Sequence, residues 1–182
     1  MRIIAGRHRG RRLVSPEGQA TRPTADRLRQ ALFDMLWHAP WGGRAALEGA
    51  RVLDAFAGTG ALGLEALSRG AAHATFLETD RAALAALAAN IAACRETATT
   101  TVLAADATHP PRAAAPCSLI FLDPPYGQAL IPRTLAALGA AGWIAPDALV
   151  IAETGREEAL DLPALATRAH GAARVTIARA RA

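Results

Sequence analysis

Two short stretches of this 182-residue chain combine residue types and spacings that could do chemistry. The first runs from Asp54 to Gly63 and places Gly58, Gly60 and Gly63 in a GxGxxG pattern. Glycines so spaced let a backbone turn sharply and come close to a ligand. Such a loop calls for an acid about twenty residues on, to bind ribose hydroxyls. Glu78 stands twenty residues after Gly58. That pair fits NAD, FAD and S-adenosylmethionine alike. Asp54 separates them, because a carboxylate four residues before the first glycine repels a pyrophosphate. It suits a ligand with an ammonium group and a sulfonium centre, so S-adenosylmethionine is the expected cofactor. Asp106 falls where the adenine of such a ligand would be read, although an acid there also suits a simple cap.

The second stretch is Asp123-Pro124-Pro125-Tyr126, directly after the apolar run Ser118–Leu122. Consecutive prolines fix φ and remove two N–H donors, which leaves local carbonyls as acceptors held in place. A carboxylate and a rigid carbonyl can accept both hydrogens of an NH₂ group. On a nucleobase that amine is a poor nucleophile, because its lone pair is delocalised into the ring. Holding both hydrogens favours a more tetrahedral nitrogen and aims the lone pair at a methyl donor. Tyr126, the only tyrosine, offers a flat face for a base taken out of its helix. Asp123, Pro124, Pro125 and Tyr126 are therefore the expected catalytic residues.

The elements that must position these residues form an α/β pattern. Strands are expected at Arg51–Phe56, His73–Glu78, Thr99–Ala104, Ser118–Asp123 and Ala148–Glu153. Helices fall between them, one after the glycine turn, one over 81–93 capped by Asp80, and one around Pro132–Ala141. Near-continuous apolar strands with helical crossovers predict a doubly wound, mostly parallel sheet covered on both faces. Residues 165–180 add one or two strands around Val175-Thr176-Ile177. Ahead of this pattern, two short strands (Arg2–Ala5 and Arg11–Val14) flank a basic glycine turn. A helix then runs to about Trp37, with Thr24 as its N-cap. The expected division is a basic extension over 1–43 and a catalytic domain over 44–182.

Charge is uneven along the chain. Residues 1–29 hold eight arginines against Glu17 and Asp26, in a protein of net charge +4 with no lysine. A basic end on a mildly acidic body suits a polyanion, and equally a solubilising arm. Cys94 and Cys117 stand alone, without metal-ligand spacing, and fit buried thiols in a reducing compartment. No apolar run reaches the length of a membrane span, so a cytoplasmic protein is expected, by default a monomer and without a metal.

With both motifs placed, the chain resembles class I methyltransferases that act on amines, a Rossmann-like fold. More closely it is similar to the bacterial family that methylates N2 of a guanine in 16S ribosomal RNA. The resemblance rests on Met1-Arg2-Ile3-Ile4-Ala5-Gly6, Arg9-Gly10-Arg11, Arg22-Pro23-Thr24 with Asp26-Arg27, the stretch from Asp54 to Ala66, Glu78 with Asp80, and Asp123 to Tyr126. It implies that Asp54, Ala55, Phe56, Ala57, Gly58, Thr59, Gly60, Glu78 and Thr79 hold the cofactor. By the same resemblance Asp106 and Ala107 lie near its adenine, and Arg22 and Thr24 approach its methionine end. It further implies that Asp123 to Tyr126 bind the guanine and that Arg7, Arg9, Arg11, Arg12 and Arg27 meet RNA. Where the family often carries an aromatic residue in its last strand, Arg174–Ala180 has none. Adenine N6 in DNA or RNA is the nearest rival target, and a non-catalytic RNA-binding assembly factor the rival class.

Overall fold

Val52, Phe76, Leu119, Phe121, Leu149 and Ile151 pack on one side of a seven-stranded sheet. Their chain neighbours Leu53, Leu77, Ile120, Leu122, Val150 and Ala152 pack on the other side. Apolar residues at both phases of the two-residue strand repeat require cover on both faces, and the chain supplies it. The computed structural model describes residues 1–16, 23–158 and 160–180.

The elements are α1 (Pro23–His38), β1 (Arg51–Asp54), α2 (Ala61–Ser68), β2 (His73–Glu78), α3 (Arg81–Cys94), β3 (Thr100–Ala104), β4 (Cys117–Leu122), α4 (Leu130–Ala140), β5 (Ile144–Gly155), β6 (Ala164–His170) and β7 (Ala173–Arg179). In the sheet they stand in the order β3-β2-β1-β4-β5-β7-β6. The first five strands run parallel, and β7 is antiparallel to both β5 and β6. Helices α1, α2 and α3 cover one face through Leu32, Phe33, Leu36, Leu64, Leu67, Leu87 and Ile91. Helix α4 covers the other with Ile131 and Leu138, beside Trp143. The doubly wound fold expected from the sequence is the fold observed.

Several local expectations change. The two N-terminal strands reduce to one antiparallel bridge, Arg2 with Arg12, around a short 3₁₀ turn at Gly6–His8. This segment is held by its own pairing, in which the N–H groups of Ile3, Gly10 and Leu13 donate to the Arg11, Ile3 and Met1 carbonyls, and also by α2. The buried Glu65 accepts from the Ile4 N–H at 2.7 Å and the Ala5 N–H at 3.0 Å. Ser68 Oγ accepts from the His8 N–H at 3.0 Å. A Cβ on Gly6 would fall 1.8 Å from the Ser68 carbonyl oxygen, and Gly6 has φ +78, so no other residue fits this approach.

Helix α1 begins at Pro23, so Thr24 lies inside its first turn and is not its N-cap. Proline is pre-organised for the first helical position, where its missing N–H costs nothing. Strand β5 starts earlier than expected, at Ile144. Pro146 has no N–H to donate and Asp147 has φ +58. Pairing with β4 is therefore interrupted between Cys117 and Leu119 and resumes regularly from Leu149, inside the stretch the sequence marks as strand. Asp80 caps α3 as expected, accepting from the Ala83 N–H at 2.7 Å. Cys94 and Cys117 are free and buried.

Candidate active site

The carboxyl ends of β2, β1, β4 and β5, four consecutive strands of the sheet, carry Glu78, Asp54, Asp123 and Glu153. Ligands of open parallel sheets collect at this edge, where the strand order reverses direction. The loop from Ala55 to Gly60 is fixed there by its neighbours. The Ala55 N–H donates to the Phe121 carbonyl at 3.1 Å, and the Ala57 N–H to the Leu77 carbonyl at 3.0 Å. Gly58 in the loop and Gly63 in α2 have separate reasons to be glycine. Gly58 has φ +51 with open space where a Cβ would point, so its backbone is exposed to an incoming group. At Gly63 a Cβ would lie 2.3 Å from the Phe76 ring, so this glycine lets α2 pack closely on the sheet.

Asp54 and Glu78 hold this loop in shape. Asp54 is buried and accepts from the Gly63 N–H at 3.0 Å, at the start of α2. Glu78 accepts from the Gly58 N–H at 2.7 Å through one oxygen, and from the Thr79 and Asp80 N–H groups at 2.7 and 2.8 Å through the other. Burial pushes the Asp54 carboxyl up to about 7; the Gly63 bond opposes this and the Glu78 charge adds to it. Phe56 is half-buried, while Ala55, Ala57 and Thr59 are buried and Thr79 is exposed.

Asp106 is exposed and closes a local turn. It accepts from the Thr108 N–H at 2.8 Å and from the Thr108 hydroxyl at 2.9 Å, with His109 Nδ1 at 3.2 Å. The Thr108 N–H first, then His109 and the Thr108 hydroxyl, hold its carboxyl below the ordinary range. Ala107 beside it is buried.

Asp123 is exposed, while the protein around its carboxyl desolvates it. That desolvation, with the Glu153 and Asp54 charges, pushes the carboxyl upward. Pro124 is buried, and its carbonyl accepts no hydrogen bond among the described residues. Pro125 is exposed, and Tyr126 is 46% exposed. The Tyr126 hydroxyl donates to Glu153 Oε1, and desolvation together with that carboxylate raises the phenol. Glu158 Oε2 accepts from the N–H groups of Gly127 at 3.3 Å and Gly155 at 3.4 Å, which ties the loop after the tetrad to the end of β5. No arginine or histidine among the described residues forms an ion pair with Asp54, Glu78, Asp123 or Glu153.

Two contributors carry no motif that sequence reasoning could have found. Glu153 is an acid near the end of an apolar strand, and its role shows only through the register. Asn90, buried on α3, donates to the Thr59 carbonyl at 2.9 Å and the Val14 carbonyl at 3.0 Å, and accepts from the Val14 N–H at 2.8 Å. It clamps the end of the N-terminal segment beside the glycine loop. Arg22 lies outside the described residues, as does the Thr24 side chain.

The basic end is divided. Arg9, Arg11, Arg12 and Arg27 are exposed and form no ion pair with the described residues. Arg7 pairs with Glu96 at 2.6 Å, and His8 reaches the same carboxylate at 2.5 Å. Burial pushes Glu96 upward, but Thr99, His8 and Arg7 outweigh it and keep the carboxyl below its usual range. Arg29, counted with the basic end, is buried; it donates to the Arg2 carbonyl and to Asp26 at 3.0 Å. Two recesses, of about 540 Å³ beside Trp37 and Arg69 and about 450 Å³ beside Leu135 and Pro163, lie away from the carboxylate row; of the expected site residues only Arg7 lines one, the first. Among the described residues no cluster could hold a metal, and no helix is long and apolar enough to cross a membrane.

The model of a family described as conserved hypothetical protein 95 matches residues 1–177. The chain is 40% identical to ribosomal RNA small subunit methyltransferase D of Escherichia coli, over 88% of its own length and 77% of that protein. It is 34% identical to the Haemophilus influenzae protein of the same description, over 90% and 83% of the two chains. The solved structure of yhhF from Escherichia coli matches with a TM-score of 0.82 at 34% identity, covering 98% of this chain and 97% of that one. A Thermus thermophilus 16S ribosomal RNA N2-guanine methyltransferase, solved with AdoMet and guanosine, shares the fold at 21% identity. Its TM-score is 0.69, over 91% of this chain and 45% of that one.

Proposed function

This chain belongs to the conserved hypothetical protein 95 family and is a methyltransferase, and on that footing we propose that it transfers a methyl group from S-adenosylmethionine to the N2 amine of a guanine in small-subunit ribosomal RNA. The observation that carries this reading is the row of carboxylates Glu78, Asp54, Asp123 and Glu153 along one sheet edge, unpaired with any arginine or histidine among the described residues. Such an edge repels a pyrophosphate and attracts a ligand that is cationic at one end. The residues fit S-adenosylmethionine: Gly58 leaves open space beside an exposed backbone, and the buried Asp54 lacks a basic partner among the described residues. Asp54 with residues 55–60, Glu78 and Thr79 would hold the cofactor, and Asp106 and Ala107 would lie near its adenine.

When bound, S-adenosylmethionine supplies an electrophilic methyl carbon activated by its sulfonium. The chain's own residues prepare the acceptor. Asp123 and the Pro124 carbonyl accept the two N2 hydrogens and turn the nitrogen lone pair toward that carbon. Tyr126 stacks on the flipped base, its ring steadied by the hydroxyl bond to Glu153. Desolvation and the Glu153 and Asp54 charges raise the proton affinity of the Asp123 carboxylate, which suits it to take the proton that leaves N2. Arg9, Arg11, Arg12 and Arg27 contact RNA phosphates, with Arg7 braced on Glu96 beside them. The extension over 1–43 thus serves as the RNA-facing part of the catalytic unit.

A labelled-methyl transfer assay on unmodified small-subunit RNA, free and bound to its ribosomal proteins, tests the reading. Label in that RNA, and none in large-subunit RNA or duplex DNA, is the expected result. Label confined to DNA, or no transfer to any substrate, would contradict it.

A further inference from the structure

Leu122 of β4 pairs in parallel register with Ala152 of β5. The next residues, Asp123 and Glu153, therefore stand side by side at the sheet's carboxyl end. Neighbouring strands lie about 4.8 Å apart, and in-register side chains share a face. The two carboxylates repel each other at that separation, and the Glu153 charge acts directly on Asp123.

The Tyr126 hydroxyl holds one Glu153 oxygen, Oε1, while Oε2 has no hydrogen-bond partner among the described residues. The residue expected to stack on the base thus orients a second acceptor beside the one expected to hold its amine. Glu153 is partly buried, and no basic side chain among the described residues pairs with it. A partly buried acceptor left this way favours a ligand that brings an N–H.

Guanine and adenine differ at this point. The Watson–Crick edge of guanine presents two adjacent donors, N1–H and N2–H. Adenine presents an amine donor next to N1, which is an acceptor. Two neighbouring carboxylates match the first edge and oppose the second, because an adenine N1 would set one lone pair against another.

We propose that Glu153 is the residue that selects guanine, accepting its N1–H while Asp123 accepts a hydrogen of N2. This rests on the N2-guanine reading above and adds the physical reason for its base specificity. Both carboxylates gain donors when guanine enters, which relieves their mutual repulsion.

The test uses 2-aminopurine, which keeps the N2 amine but has an unprotonated N1. The full-length protein with S-adenosylmethionine is given small-subunit RNA into which guanine or 2-aminopurine has been ligated at the mapped acceptor position. Wild-type protein is expected to prefer guanine by about a hundredfold or more in kcat/KM, since a site built around a hydrogen bond rejects analogues that lack it. Glu153→Gln can donate to an unprotonated N1, so it is expected to lose guanine transfer and narrow the preference by about tenfold or more.

Equal use of both RNAs by wild-type protein would overturn the assignment, and this result needs no variant to fold. An equal loss on both RNAs in Glu153→Gln would also overturn it, by reducing Glu153 to a support for Tyr126. Methylation of an adenine in either RNA would instead overturn the proposed function, and this assignment with it.

Discussion

Asp54 accepts a hydrogen bond from the Gly63 N–H at 3.0 Å while burial, and after it the carboxylate of Glu78 one strand over, raise its pKa. One buried acid thus holds the start of α2 and stands unpaired with any arginine or histidine among the described residues, where a cationic ligand is expected.

That arrangement has a pH signature. Burial raises the Asp54 carboxyl to about 7, so near neutrality the ligand-free protein holds a proton that the unfolded chain has lost. The stabilising contribution of this group is present at low pH and is lost as pH rises through about 7. A cationic cofactor prefers the ionised form, so its affinity is expected to strengthen as pH rises toward 7 and level off above. Calorimetric titration of S-adenosylmethionine from about pH 5.5 to 8.5 checks this. Asp54→Asn should flatten the profile; a flat profile in the wild type would count against the role.

Replacing Asp123 separates binding from chemistry. Asp123→Ala removes an amine acceptor and leaves Glu78 with its bonds to Gly58, Thr79 and Asp80. Transfer is expected to fall by about 10²–10⁴-fold while cofactor affinity changes little. Single-turnover kinetics beside a binding isotherm measure both, and near-wild-type turnover would remove Asp123 from the mechanism.

Glu65 is fully buried and joins α2 to the N-terminal segment and to α1, accepting from Ile4, Ala5 and, at 2.8 Å, Arg69 Nε, with Arg29 Nε at 3.9 Å. Glu65→Ala leaves Arg69 and Arg29 short of a partner in the interior. A loss of about 3–5 kcal/mol is expected, as for other broken buried pairs. Urea unfolding reads it, and a change below about 1 kcal/mol would mean the N-terminal segment docks by other means.

The exposed arginines should act through salt. Withdrawing one cation from a phosphate lowers the slope of log affinity against log salt by about 0.7–0.9. Arg9→Ala, Arg11→Ala, Arg12→Ala and Arg27→Ala are each expected to flatten that slope for small-subunit RNA. Arg7→Ala should chiefly lower stability, because Glu96 already occupies its guanidinium. Filter binding across a salt series separates the two classes, and unchanged slopes would detach this surface from RNA.

Much of the fold is legible in the sequence because its causes are local. Strand β2 and the Asp80 cap of α3 stand where the sequence predicts them, since apolar runs and capping act over a few residues. Asp54, Glu78 and Asp123 can be placed at strand ends because each directly follows or ends an apolar run. Glu153 cannot, since its meaning depends on β4·β5 register, which no local pattern encodes. Asn90 and Glu96 are invisible for the same reason, as their partners Val14 and Arg7 lie 76 and 89 residues away. The two N-terminal strands predicted from the sequence shrink to a bridge because that short segment divides its hydrogen bonds between its own turn and α2.

The most direct measurement is the identity of the methylated nucleoside. Unmodified small-subunit RNA is incubated with the protein and S-adenosylmethionine, digested to nucleosides and resolved by mass spectrometry against standards. N2-methylguanosine is the expected product. N6-methyladenosine, or no methylated nucleoside, would contradict the reading of the Asp123 edge as a guanine-amine site.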